Sequence, residues 1–352
     1  MNLNEFPICL GKKEYFPFSI GKPGIEFDPI IEWPRISIVT PSFNQGKYIE
    51  ETIRSVLLQN YPNLEYIIID GGSTDETIAI IKKYEPWISY WVSEPDKGQS
   101  HAINKGISKC TGEIFNWLNS DDWYEPGCLH SVASAFMFHS STYVVSGYEN
   151  HIQVDGSVIF NTGSFITENL ESTIEFCEIA QPSSFFKLSA IQNIGGVSED
   201  LHYIMDGEMW LKLLLLYGQD GFSKIDKVLV NFRLHEASKT VCNSTVNNFL
   251  FERSSIIADL QRFIGVHPRI IQYYTEVIFK SPKTYQLNRN WILNPHVLTS
   301  RQLRLYFTRK FVMKQFRHND RAAIWWGIKE LIEEKALDGY LFKCLIKMII
   351  ST

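Results

Sequence analysis

Two carboxylates side by side repel each other unless a cation sits against them. Asp121-Asp122 is such a pair, placed just after the apolar run Ile114 to Leu118. A hard divalent ion with oxygen ligands suits it, and phosphate oxygens commonly complete the shell of such an ion. The structural alternative is a helix start, since Pro126 can open a following helix. Asp70 ends a second apolar run, Leu64 to Asp70, with Gly71 and Gly72 behind it. Glycine lets a flat ring or a phosphate approach the backbone, and a carboxylate there can accept from the imide or amide N–H of a base. Its alternative is a turn aspartate that satisfies its own loop. Asp206 and Glu208 open a helix, where acidic side chains ordinarily complement the dipole. His235 follows a strand-like run and precedes Glu236 and Ser238; a lone histidine is more often a structural hydrogen-bonder. Neither a GxGxxG fingerprint nor a Walker lysine is present.

The elements that must position these groups alternate. Ile36 to Thr40 is a β-branched run stopped by Pro41, and Ile49, Ile53, Val56 and Leu57 recur at helical spacing. Leu64 to Asp70 is apolar up to its last residue, as a strand buried on both faces should be. Ser73 with Glu76 reads as a capping box for the next helix. Ile88 to Val92 and Ile114 to Leu118 are further strands, with a helix over Gln99 to Ser108 between them. Strand and helix in alternation predict a parallel sheet with right-handed crossovers. Past residue 140 the pattern changes. Tyr143 to Tyr148 is strand-like, Ile152 to Phe160 spells a hairpin around Asp155-Gly156, Asp206 to Leu216 is a helix ended by Gly218, and Val228 to Arg233 is a strand. From about 245 the chain is mostly helical.

In an open parallel sheet, ligands bind beyond the carboxyl ends of the strands. Those ends read Thr40-Pro41-Ser42-Phe43-Asn44, Asp70 to Asp75, Ser93 to Gly98 and Asn119 to Asp122. All four are polar, which predicts one polar crevice.

With 352 residues, the chain has room for two domains at about 150 residues each. Apolar residues make up 45%, too many for a disordered chain. A net charge of -5 gives no reason to expect a nucleic-acid partner. The six cysteines form no CxxC pair and read as reduced thiols of a cytoplasmic protein. The first thirty residues show no signal-peptide pattern, and no apolar run is long enough to span a bilayer. Residues 301 to 350 hold eleven Lys/Arg against five Asp/Glu. There Trp325, Trp326, Ile328, Leu331 and Ile332 lie among charges, followed by the apolar Leu341 to Ile350 with Lys343 and Lys347 inside it. Such helices can lie on the inner face of a plasma membrane as a peripheral contact, or simply pack as a solvated appendage.

Six segments in order resemble the family 2 glycosyltransferases, inverting enzymes of the GT-A fold that include bacterial cell-surface polysaccharide enzymes. They are IVTPSFN (38–44), IIIDGGSTD (67–75), SEPDKGQSHAINKG (93–106), WLNSDDWYEP (117–126), YIMDGEMWLK (203–212) and FRLHEAS (232–238). The resemblance implies an α/β GT-A (nucleotide-diphospho-sugar transferase) fold, with a mixed, mainly parallel central sheet and a helical C-terminal extension. It covers roughly residues 35 to 240, so the chain divides into an irregular, proline- and glycine-rich lead-in over 1–34, a GT-A domain over 35–240 and a mostly helical extension over 241–352.

The resemblance also implies roles. Thr40, Pro41, Ser42 and Asn44 would line the nucleotide pocket, and Asp70 would meet a uracil or thymine base. Lys97 and Gly98 would lie near base and ribose. Asn119, Ser120 and Asp121 stand at the family's DxD motif, with Asp122 beside it. Asp121 and His235 would hold a divalent Mn²⁺ or Mg²⁺ against the donor diphosphate, and Asp206 would be the catalytic base. Two positions depart from the pattern: Asn119 replaces the first DxD aspartate, and Gly71 replaces the second aspartate of the base loop. The implied reaction moves a sugar from a UDP- or dTDP-sugar to a hydroxyl of a saccharide or lipid-linked acceptor. The alternatives are a sugar nucleotidyltransferase, which would need a basic glycine-rich loop that Thr40 to Gly46 lacks, and a nucleotide-sugar-binding protein without catalysis.

Overall fold

The computed structural model describes residues 6–7, 16–18, 27–139, 141–236, 238–239, 245–281, 287 and 289–350. The chain forms two compact units, Met1–Val246 and Asn247–Thr352.

The first unit is a mixed sheet with helices. Its parallel half contains β1 (Ile36–Ser42), β2 (Leu64–Asp70), β3 (Tyr90–Ser93) and β4 (Ile114–Trp117), in the spatial order β3-β2-β1-β4. The crossovers run through α1 (Ile49–Leu57), α2 (Thr77–Tyr84) and α3 (Gln99–Ile107). After β4 come β5 (Trp123–Tyr124), α4 (Cys128–Phe138), β6 (Val144–Ile152), β7 (Val158–Gly163), α5 (Leu170–Phe176), β8 (Ser184–Lys187), α6 (Leu188–Asn193), α7 (Met205–Tyr217) and β9 (Phe222–Arg233). The sheet continues β4-β8-β6-β9-β5, with β7 also paired to β6. β8 runs antiparallel to β4 and β6, and β9 runs parallel to β6 and antiparallel to β5.

β1, β2 and β4 are buried on both faces, as the largely apolar β2 run reflects, whereas β3 is a partly exposed edge strand. Ile36, Ile38, Ile53, Val56, Ile68 and Ile81 pack into one core between sheet and helices. At the amino ends of the strands, Glu65 binds three segments together. Its oxygens accept from Ser37 Oγ at 2.5 Å, Thr111 N at 2.7 Å, Thr111 Oγ1 at 2.8 Å and Arg35 at 3.0 Å. Burial works to raise the Glu65 carboxyl; the bonds from Ser37 and Thr111 and the Arg35 charge outweigh it and hold the group below its ordinary range.

Several elements differ from expectation. β1 runs through Pro41 to Ser42. Val39 O accepts from Leu118 N on the β4 side, and Ser42 O accepts from Gly71 N on the β2 side. Residue 41 therefore faces the β4 side just past the end of β4, where no ladder donor is needed. Ser73 and Glu76 form no capping box, because α2 begins at Thr77 without a side-chain cap and the Ser73 hydroxyl donates to Asp70. β3 begins at Tyr90, because a turn of 3₁₀ helix takes Glu85–Trp87. β5, α5, β8 and α6 had no clear sequence signal.

Of the N-terminal lead-in, only a few residues are described. Buried Arg54 of α1 donates to Phe18 O at 2.9 and 3.1 Å and to Pro7 O at 2.6 Å, and lies over the Phe6 ring. Cys110, Cys128 and Cys177 are buried free thiols, with Cys110 pushed up to about 12 by burial, and Cys344 is free as well. Cys9 and Cys242 lie outside the described residues.

The helical part comprises α8 (Val246–Phe263), α9 (Pro268–Tyr273), α10 (Ser300–His318), α11 (Arg321–Glu333) and α12 (Gly339–Ile350). Thr299 and Gln302 form a capping box that opens α10. A Cβ on Gly327 would stand 2.4 Å from Val312 Cγ2, so α11 lies tight on α10 at that point. Ile328 and Leu331 are buried in this contact side, whereas Trp325 and Ile332 are about half exposed, at 48% and 54%. Among the described residues, no helix is long and apolar enough to cross a membrane.

Candidate functional site

The carboxyl ends of β1, β2, β3 and β4 point the same way, because these strands are parallel. Their loops are laced together. Asn44, at φ 52°, donates its N–H to Ser73 Oγ at 2.7 Å and accepts from Thr74 N at 2.9 Å. Gln45 N–H donates to Thr77 Oγ1, and Gly46 N–H to Asp75 Oδ2, each at 2.9 Å. Glu94 N–H donates to Asp70 O at 3.0 Å.

Within this rim the expected donor-binding residues part ways. Thr40 is fully buried, and its hydroxyl meets Tyr66 OH at 3.0 Å inside the sheet. Pro41 is buried too. Ser42, one step further, is buried with no partner for its hydroxyl. Asp70 was expected to meet the base, but it is fully buried and holds its own turn: it accepts from Gly72 N, Ser73 N, Ser73 Oγ and Ser93 Oγ at 2.5–3.0 Å. Lys97 and Gly98 are exposed, and Gly98, at φ 109°, stands at the start of α3.

Asp121 and Asp122 turn in opposite directions where the chain makes a turn, closed by Asp122 N–H donating to Asn119 O at 3.1 Å, before entering β5. Asp121 Oδ2 lies 2.9 Å from His235 Nε2, and the His235 ring rests on Tyr48 with centroids 4.7 Å apart. Asp122 was expected near the donor; it points inward instead and accepts Arg233 N–H at 2.9 Å. Burial and then the Asp121 charge push its carboxyl well above the ordinary range. Ser120 is buried beside it.

The acidic loop is gripped from both sides. Thr52 of α1 donates to Asp122 O at 2.6 Å, and Arg233 Nε donates to Asp121 O at 2.9 Å. The Arg233 guanidinium is fully buried, paired with Glu51 at 2.6 Å and sandwiched between the Trp123 and Tyr48 rings.

A chain of hydrogen bonds crosses from this loop towards α7. Gln99 Nε2 donates to Asn119 Oδ1 at 2.8 Å, and Lys239 Nζ donates to Gln99 Oε1 at 3.1 Å and to His202 O at 3.0 Å. Ser100 Oγ donates to Leu201 O at 3.2 Å. The segment leading into α7 is thereby fixed against the start of α3. Asp206 stands in the first turn of α7, partly exposed, with Oδ1 accepting Gly207 N at 2.8 Å. Glu208 is buried instead, bonded to Ser198 Oγ and paired with Lys212 at 3.1 Å.

The expected residues of the first four strand ends thus lie at one end of the sheet, with Thr40, Asp70 and Asp122 as the framework beneath, and Asp206 follows four residues after the His202 carbonyl that Lys239 holds. Sequence reasoning assigned nothing to Arg233, Gln99, Glu51 or Lys239. Arg233 and Gln99 stand inside the quoted segments, and Lys239 directly follows one. Their signal was position beside the chemistry, not residue type.

Asp121 and His235 offer a hard carboxylate oxygen and an imidazole nitrogen. Among the described residues, no third His, Cys, Asp or Glu joins them. Two protein ligands suit a divalent ion that draws the rest of its shell from phosphate and water.

The first unit is thus a mixed α/β sheet with acidic and basic groups collected at the carboxyl ends of its parallel strands. Residues 37–190 match the sequence profile of the family described as Glycosyl transferase family 2. An uncharacterized glycosyltransferase of Rickettsia typhi is 31% identical over 226 residues, covering 61% of this chain and 68% of that one. An uncharacterized glycosyltransferase of Mycobacterium tuberculosis is 28% identical over 67% of this chain and 85% of its own length. Chondroitin synthase of Escherichia coli is 28% identical over 62% of this chain and 32% of its own length. Among solved structures, S. aureus TarS 1-349 in complex with UDP-GlcNAc aligns with a TM-score of 0.51 at 17% identity, covering 86% of this chain and 92% of that one. The chain belongs to glycosyl transferase family 2, has the GT-A fold and is a glycosyltransferase.

Proposed function

We propose that this glycosyltransferase moves a sugar, with inversion, from a nucleoside-diphosphate donor to a hydroxyl of a saccharide or lipid-linked acceptor in surface glycan synthesis. The observation that carries the reading is the Asp121–His235 contact at 2.9 Å, on the same rim as Ser42 and the Gln99–Lys239 bridge. UDP-sugars come first among donors, with dTDP-sugars next, because the fold neighbour TarS was solved with UDP-GlcNAc. Chondroitin synthase as a relative supports a polysaccharide setting.

In this reading Asp121 and His235 hold a divalent ion, which when bound offsets the charge that develops on the diphosphate leaving group. Exposed Lys97 contacts the nucleoside side of the donor. Lys239 and Gln99 keep Asn119 and the start of α7 at a fixed separation. Asp206 takes the proton from the acceptor hydroxyl as its oxygen bonds to the anomeric carbon. The bond from that carbon to the diphosphate oxygen breaks in the same displacement, and the nucleoside diphosphate leaves with the electron pair. Inversion follows from the single displacement.

The acceptor side is less constrained. On α12, Tyr340, Phe342 and Ile346 are exposed beside exposed Lys343. That pattern supports peripheral contact with an anionic bilayer, where a lipid-linked acceptor would be found.

A nucleotide-release assay over UDP-, dTDP-, GDP- and CMP-sugars with Mn²⁺ tests the reading. Release of UDP or dTDP that stops in chelator is expected. Tight donor binding with no release, across saccharide and lipid-linked acceptors, would favour a binding protein instead.

A further inference from the structure

The second unit contains a cavity of about 180 Å³ between α9, the residues that follow it, α10 and the start of α11. About 10–15 Å³ suffices for one buried water, so this space is on the order of ten times larger than a single solvent molecule needs. Directly after α9, Tyr274–Ile278 winds as a π-helix. Such segments are rare and recur at functional sites.

Two polar atoms of the residues lining this cavity have no partner. Gln315 of α10 is only 6% exposed, and nothing among the described residues bonds to its Nε2. The same holds for the hydroxyl of Tyr273, the last residue of α9. Buried polar groups are almost always satisfied, so two orphaned ones around one cavity point to a ligand that bonds both. Phe311 and Ala323 supply an apolar floor, and Tyr273 packs edge-on against Phe311 with ring centroids 5.2 Å apart. At the rim, the Arg269 guanidinium lies over the Trp326 ring at 5.3 Å, and Asp320 Oδ1 accepts Ala323 N–H at 3.0 Å. Glu276 completes the rim.

These groups exclude most classes of ligand. An apolar guest would leave Gln315 Nε2 and the Tyr273 hydroxyl bare. An anion would face Glu276 and Asp320, and a cation would face Arg269. A neutral polyol suits every one of them, because each of its hydroxyls both donates and accepts. We propose that the helical unit binds a neutral pyranose ring here, in a carbohydrate site built wholly from its own residues. The C–H face of the ring lies on the apolar floor, and its hydroxyls take up the two orphaned groups. The inference goes beyond the donor reading and does not depend on it.

Saturation-transfer NMR titration of the full chain is the test. The probes are methyl glycosides of glucose, galactose, mannose and N-acetylglucosamine, with glucuronate as an anionic control. At least one neutral glycoside should bind. Gln315→Met and Tyr273→Phe should each weaken it roughly 3- to 10-fold, the loss of one hydrogen bond. Neither Nε2 nor the phenol hydroxyl is bonded in the sugar-free protein, so both variants should match or exceed the wild-type denaturant midpoint. Unchanged affinity in both variants puts the sugar elsewhere and overturns the proposal. So does a panel in which no neutral glycoside binds, which leaves the cavity to water. Glucuronate binding as tightly as the neutral rings overturns it too, and midpoints that fall in both variants assign the two groups to the fold instead. UDP titration of the same preparation reads the donor proposal separately: wild type that binds a glycoside but no UDP would sink that reading and leave this one standing.

Discussion

The Arg233 side chain and the Asp121 main-chain carbonyl are joined by a 2.9 Å hydrogen bond across 112 positions of sequence. The same guanidinium meets Glu51 with no surface left exposed. Removing one partner of such a buried pair strands the other charge. Arg233→Met should lower stability by about 3–5 kcal/mol, read as a drop in denaturant midpoint. Arg233→Lys should recover part of that loss but not activity, because a lysine cannot reach Glu51 and the Asp121 carbonyl with a planar fork. Full activity in the lysine variant would show that the acidic loop needs no such grip.

Asp206→Asn should lower turnover by roughly 10²- to 10⁴-fold, the range for loss of a general base, while donor affinity stays close to wild type. Rapid-quench turnover and equilibrium donor binding, measured on one preparation, separate these effects. Equal losses in both would place Asp206 in donor binding.

Asp121→Ala and His235→Ala should each weaken donor binding in the presence of Mn²⁺ and leave binding in chelator unchanged. The readout is the difference between the two titrations. A variant that loses affinity equally with and without the ion acts through folding or direct contact.

The Glu65 junction predicts a pH signature unrelated to catalysis. Its folded carboxyl lies below the ordinary value, so its contribution to stability is present above the unfolded value near 4.5 and is lost as pH falls through the folded one. Glu65→Gln should destabilise the protein by about 1–3 kcal/mol at pH 7. The gap to wild type should close in acid. Donor affinity should not change, because Glu65 sits at the opposite ends of the strands from the crevice. A gap that is constant from pH 7 to pH 3 would rule out the ionised carboxylate as the source.

Phe342→Ser with Ile346→Ser should reduce co-sedimentation of the full chain with anionic vesicles and leave UDP binding intact. Equal sedimentation with neutral and anionic vesicles would argue against the electrostatic part of the contact.

Much of this architecture was legible in the chain. β2 and α7 fall within a residue of the expected positions, because one is a continuous apolar run and the other ends at a glycine. β5 was not legible: two residues inside an acidic motif carry no periodicity, and only their pairing to β9 makes them a strand. What the sequence could not tell is which way each of the expected site residues points. Asp121 and Asp122 are equivalent on paper, and the backbone sends one to His235 and the other to the core. Asp70 looked like a contact residue because glycines follow it. The turn those glycines make is instead what consumes its oxygens. Arg233 escaped because nothing in a lone arginine announces which carbonyl it will reach.

The pairing of β5 with β9 has a consequence for how the molecule comes into being. Trp123 and Tyr124 find their ladder partners only at Asn231 and Val230. During synthesis the parallel half can condense early, yet the acidic loop stays without its clasp until a further hundred or so residues have emerged. A chain ending before β9 would leave the Trp123–Tyr124 edge without its ladder and Asp121 and Asp122 without the Arg233 contacts that hold them.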